Sequence, residues 1–82
     1  MYTVYILFSE LLDRYYTGFT SGDLEQRLKK HNTNHKGFTG KSKDWNVVYY
    51  ESYESLHEAH NREKQIKKWK SRKQIERLIK TD

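Results

Sequence analysis

The chain has 82 residues, enough for one hydrophobic core and too few for a second domain, so a single domain spanning 1–82 is expected. Apolar residues make up 34% and charged residues 33%, a balance that favours disorder unless the 15% of aromatic residues build the core. The absence of cysteine excludes disulfides and thiolate zinc sites, and the net charge of +5 favours a polyanionic partner.

Tyr2 to Phe8 is rich in β-branched and aromatic residues and reads as a strand. It has no basic leader and no cleavage site, and no apolar run in the chain approaches the ~20 residues of a membrane span. A cytoplasmic, unexported protein is expected. Arg14 to Phe19 reads as a second strand, paired with the first through a loose hairpin loop at Ser9 to Asp13. Strand alternation puts Tyr5 on a face with Thr3 and Leu7, and Tyr16 on a face with Arg14 and Gly18, so two phenols can converge across the hairpin.

Thr20 to Asp23 supplies N-cap candidates for a helix marked by Leu24 and Leu28 that runs to about Asn32. On that helix Arg27 and His31 fall within about 60° of Leu24, on the core stripe. Each has an ordinary explanation, a snorkelling arginine and a hydrogen-bonded histidine at the core margin. His31 to Asp44 has no periodicity and reads as an exposed basic loop carrying Lys36, Lys41 and Lys43. Trp45 to Glu51 returns to strand character.

From Ser55 the pattern is helical, with Leu56, Ala59, Ile66 and Trp69 on one stripe. Glu63 falls inside that stripe, where a carboxylate needs a partner: Arg27 or a bound metal ion. Ser71 reads as the N-cap of a last helix containing Ile75, Leu78 and Ile79. These two helices hold the basic charge. Residues 62–82 carry nine Lys or Arg against three acids, or +6, whereas residues 1–61 carry seven bases against eight acids, or −1. Lys67, Lys68 and Lys70 lie in this segment, and nucleic acid is the common partner of such a patch, with a solvated helix face as the lesser alternative. His57 and His60 are three apart rather than four, which argues against a zinc-protease helix. The expected fold is α+β, a small three-stranded antiparallel sheet flanked by helices in the order β-β-α-β-α-α.

Taken together, Thr3-Val4-Tyr5, Tyr16-Thr17-Gly18, the run Asp23 to Asn32 containing Arg27 and His31, and Arg62-Glu63 resemble the GIY-YIG nuclease family. Thr3 stands where the first motif has glycine, and no C-terminal asparagine matches the one that some relatives place near the site. The His31-Asn32 pair, Val47-Val48-Tyr49 and Arg62-Glu63 look like the stand-alone bacterial YhbQ-like branch. The resemblance implies a DNA endonuclease with one Mg²⁺ or Mn²⁺ ion held by Glu63. It also implies an active site of Tyr5, Tyr16, Arg27, His31 and Glu63, and leaves open which tyrosine is the general base. Phosphate contacts would come from Lys36, Lys41, Lys43, Lys67, Lys68 and Lys70, and specificity from DNA shape or from a protein partner. A noncatalytic nucleic-acid-binding module with the same fold is the alternative.

Overall fold

The computed structural model describes residues 1–33, 37 and 39–80. Strands β1 (Tyr2–Ser9), β2 (Arg14–Thr20) and β3 (Asn46–Tyr53) form one antiparallel sheet in the order β2-β1-β3. Helix α1 (Leu24–Thr33) connects the hairpin to a single 3-10 turn at Thr39–Lys41, and helices α2 (Leu56–Trp69) and α3 (Arg72–Lys80) follow β3. This is the expected α+β order.

The central strand explains itself. Val4, Tyr5, Ile6 and Leu7 are all nearly fully buried, because β1 is covered on both faces as well as paired on both edges. Val4 and Ile6 pack with Ala59 and Ile66 of α2 and with Ile75, Leu78 and Ile79 of α3. Tyr5 and Leu7 point the other way, against Trp45, Leu24 and Leu28. The β1–β3 register shifts between Ile6 and Leu7, which face Tyr49 and Val47 respectively. Val48 is the extra residue of this bulge, and the shift lets Tyr49 and Val47 join opposite cores.

Helix ends follow the sequence signals. Ser55 caps α2 by accepting from the Glu58 N–H at 3.1 Å, and Ser71 caps α3 by accepting from the Gln74 N–H at 3.3 Å. Between them Lys70 closes α2 in a left-handed conformation, φ 49°.

Three expectations need correction. Leu56, the first residue of α2, is 50% exposed rather than part of the buried stripe. The stretch before β3 is not simply an exposed loop: Thr39 and Ser42 are buried. Ser9 and Ser42 both donate to Asp44 Oδ1, and Asp44 Oδ2 accepts from the Leu11 N–H at 3.0 Å, so the carboxylate ties this segment to the β1–β2 hairpin. These bonds hold the Asp44 pKa down at about 2. Arg27 is exposed, whereas the helical projection puts it on the core stripe.

Candidate active site

The hairpin register sets the two tyrosines. Tyr5 pairs with Gly18 and Leu7 with Tyr16, so the phenols are diagonal neighbours on the α1 face of the sheet. Gly18 is required by space rather than by backbone conformation. A Cβ built there would stand 2.7 Å from the Tyr5 hydroxyl, closer than real contacts allow, and 3.1 Å from the Tyr16 ring, a tight contact.

Helix α1 delivers the next two groups. His31 is buried at the end of the helix, and its Nε2 shares a hydrogen bond with the Tyr5 hydroxyl at 2.8 Å. Its ring centroid lies 5.8 Å from that of Tyr5 and 5.1 Å from that of Tyr16. The imidazole is held on its far side as well, because Nδ1 and Thr39 Oγ1 are 2.9 Å apart. Both ring nitrogens are therefore engaged, which fixes the ring plane. Arg27, one turn earlier, acts on the Tyr5 oxygen by hydrogen bonding and by charge.

The Thr39–Lys41 turn owes its position to two residues beside it. Asn32 accepts from the Trp45 N–H at 2.8 Å and donates to the Trp45 carbonyl at 3.1 Å, clamping the start of β3 to the end of α1. The Trp45 indole N–H in turn donates to the Thr39 carbonyl at 2.9 Å.

The electrostatics oppose easy ionisation of Tyr5. Burial raises its pKa above the ordinary 10.0, Arg27 acts in the lowering direction, and the neighbouring Tyr16 and Glu63 add to the rise. Burial, followed by the charge of Arg27, lowers His31 below the ordinary 6.5, so the imidazole is neutral at neutral pH. A neutral acceptor thus sits beside a phenol that holds its proton.

Glu63 comes from α2. Its side chain is only 13% exposed and pairs with Lys67 at 3.1 Å, so its salt-bridge partner is Lys67 and not Arg27. Lys67 Nζ also lies 5.6 Å from the centroid of the Tyr16 ring. Among the described residues no group of three or more His, Asp or Glu side chains is assembled for a metal ion. The donor set at Glu63 is therefore one carboxylate. That suits a hard cation that keeps most of its waters and takes phosphate oxygens, and it does not suit a caged structural ion.

The GIY-YIG catalytic domain family matches residues 1–76. The chain belongs to the GIY-YIG family. This is a nuclease family, so its substrate class is nucleic acid. No curated protein and no solved structure gives a significant match. In this GIY-YIG domain the structure brings Tyr5, Tyr16 and His31 into direct proximity, with Arg27 and Glu63 acting electrostatically on Tyr5. Lys41, Lys43, Lys68 and Lys70 are exposed, and Lys36 lies outside the described residues. Sequence reasoning missed the supporting roles of Asn32, Thr39 and Trp45. Their partners are set by tertiary contacts, and only the adjacency of Asn32 to His31 offered a signal.

Proposed function

We propose that this protein is a metal-dependent DNA endonuclease whose catalytic groups are Tyr5, Tyr16, Arg27, His31 and Glu63. The observation that carries the reading is the buried Tyr5–His31 hydrogen bond, placed under an arginine and made possible by the absence of a side chain at Gly18. With Thr39 accepting from Nδ1–H, the Nε2 lone pair of His31 takes the Tyr5 proton while the phenol oxygen takes one from the attacking water. The hydroxide oxygen bonds to phosphorus as the bond to the leaving oxygen breaks, and that oxygen takes its proton from water. This order makes Tyr5 the base through His31 and leaves Tyr16 to position phosphate or water. Arg27, at the exposed mouth, stabilises the charge that develops on the phosphoryl oxygens. A Mg²⁺ or Mn²⁺ ion on Glu63 would supply Lewis-acid polarisation and a more acidic bound water.

The His31-Asn32 pair, the Val47-Val48-Tyr49 strand and the Arg62-Glu63 helix support membership of the YhbQ-like branch. Cytoplasmic action on branched, nicked or single-stranded DNA in repair or recombination fits that reading, with a protein partner adding specificity. The basic groups Lys36, Lys41, Lys43, Lys67, Lys68 and Lys70 would contact phosphates.

The test is incubation with branched, nicked, single-stranded and plain duplex DNA in Mg²⁺, Mn²⁺ or EDTA. Cleavage is expected with either metal and not in EDTA. Tyr5→Phe, which keeps the ring, should lower it by at least ~10²-fold. Glu63→Gln should abolish cleavage at little cost in stability, since the Lys67 end of the pair is half exposed and keeps its hydration when the carboxylate charge is removed. Binding without cleavage in every arm would establish the noncatalytic alternative, and full activity of Tyr5→Phe would move the base to Tyr16.

A further inference from the structure

Beside the catalytic cluster, between β2 and the junction of α2 with α3, lies an open cavity of about 470 Å³. Tyr15, Tyr16, Ile66 and Ile75 give it an aromatic and aliphatic floor, and Arg14 and Lys70 bring exposed cations to its wall, whereas Lys67 lines it while paired with Glu63. Arg72 frames it without offering its charge, being bound to Asp13 at 2.7 Å and to Glu76 at 3.1 Å while its guanidinium covers the Tyr15 ring. Two residues of the lining, Asp13 and Lys70, adopt left-handed backbone conformations, with φ of 54° and 49°. The Arg72 bond to the Asp13 carbonyl at 3.0 Å joins the hairpin turn to the start of α3 across the opening. Tyr16 and Lys67 belong to both this cavity and the catalytic cluster, so the two are continuous.

We propose that this cavity is a subsite for one unpaired deoxynucleotide adjoining the scissile phosphate, a proposal that rests on DNA being the substrate. A groove serving phosphates alone has no use for an apolar, aromatic floor, whereas an unstacked base buries its face on such a floor while its phosphates meet the cations. A base inside a duplex stays stacked and cannot enter. The cavity volume lies within the usual range for small-ligand sites. The consequence is selectivity: DNA with a frayed end, flap or gap next to the cut places a base in the cavity, and plain duplex does not.

The probe is thymidine 3′,5′-bisphosphate, titrated in EDTA into wild-type protein carrying ¹³C-labelled isoleucine methyls, with inorganic pyrophosphate as the control. Saturable shifts of Ile66 and Ile75 with Ile6 unmoved are expected, with affinity about tenfold above that of pyrophosphate. Arg14→Gln with Lys70→Gln, both at exposed positions, should weaken nucleotide binding by at least about threefold. No shift, or equal shifts and affinity with pyrophosphate, overturns the subsite. Nucleotide binding in a protein that cleaves no DNA upholds the subsite and overturns the nuclease reading. Cleavage without nucleotide binding overturns the subsite alone.

Discussion

At the scale of single residues, the site depends on a missing side chain as much as on those present. Gly18 faces Tyr5 across the hairpin, and Gly18→Ala would force a methyl group to within 2.7 Å of the Tyr5 hydroxyl. Overpacking a buried position in this way is expected to cost about 1–3 kcal/mol. Cleavage should fall much further than stability, because in the proposed mechanism the displaced atom is the reacting one. Assays at a temperature where both proteins are folded check this, and an alanine variant with normal cleavage would show that the hydroxyl position is not critical. His31 makes a separate prediction about pH. Its folded pKa lies below 6.5, so in the window beneath 6.5 the unfolded chain binds a proton that the folded chain refuses. Stability is therefore expected to fall as pH drops from about 6.5 through the lower folded value. Tyr5 has the opposite sign and the opposite window, with stability lost as pH rises past 10 through its raised folded pKa. Thermal melts of wild type and His31→Gln from pH 7 to pH 5 isolate the first effect, and equal slopes in the two proteins would assign it elsewhere.

At the scale of elements, α1 contributes little to the hydrophobic core and much to the site. It buries only His31 fully, and its place is fixed by Leu24 and Leu28 on Trp45 and Tyr5 and by the Asn32 clamp on Trp45. Asn32→Ala would leave the Trp45 N–H and carbonyl without their side-chain partner, at a cost of about 1–3 kcal/mol if water does not replace it. Because the Trp45 indole holds the Thr39 carbonyl and Thr39 holds His31, cleavage should drop along with stability. Measuring both at several temperatures distinguishes this from simple unfolding: activity that tracks the folded fraction alone would remove Asn32 from the positioning chain. This element also shows what a sequence can and cannot disclose. Strand alternation and helix period placed Tyr5, Tyr16, Arg27 and His31 on particular faces, and motif spacing linked them. Glu63 and Lys67 stand at the i,i+4 spacing of a helical ion pair, but neither signal could exclude Arg27 as the partner, because that depends on how α1 and α2 are placed. Nor could periodicity see the buried Thr39 and Ser42, whose burial comes from side-chain bonds and not from a repeating apolar pattern.

At the scale of the whole molecule, the positive charge gathers on α2 and α3 while acids hold the fold together. Glu51 accepts from Arg62, Tyr49 and Tyr53, and Asp13 and Glu76 bind Arg72, so several of the basic groups in residues 62–82 are already engaged. Lys67 is paired with Glu63, so releasing it to DNA would require phosphate to compete with a carboxylate. Lys68 and Lys70 are exposed, and for them no such pairing is seen among the described residues. The electrostatic part of DNA affinity should therefore come more from Lys68 and Lys70 than from Lys67. Each duplex phosphate neutralised contributes about −0.9 to the slope of log K against log salt. Replacing Lys68 and Lys70 with Gln is expected to flatten that slope by up to about 1.8 and to weaken every duplex sequence alike. Replacing Lys67 alone should change the slope by less than about 0.9 while disturbing cleavage, since Lys67 neighbours both Glu63 and Tyr16. Anisotropy titrations in EDTA across a salt series measure all three slopes. An unchanged slope in the Lys68, Lys70 variant would take the end of α2 out of the DNA-binding surface, and a full loss from Lys67 alone would mean that its carboxylate partner yields to phosphate.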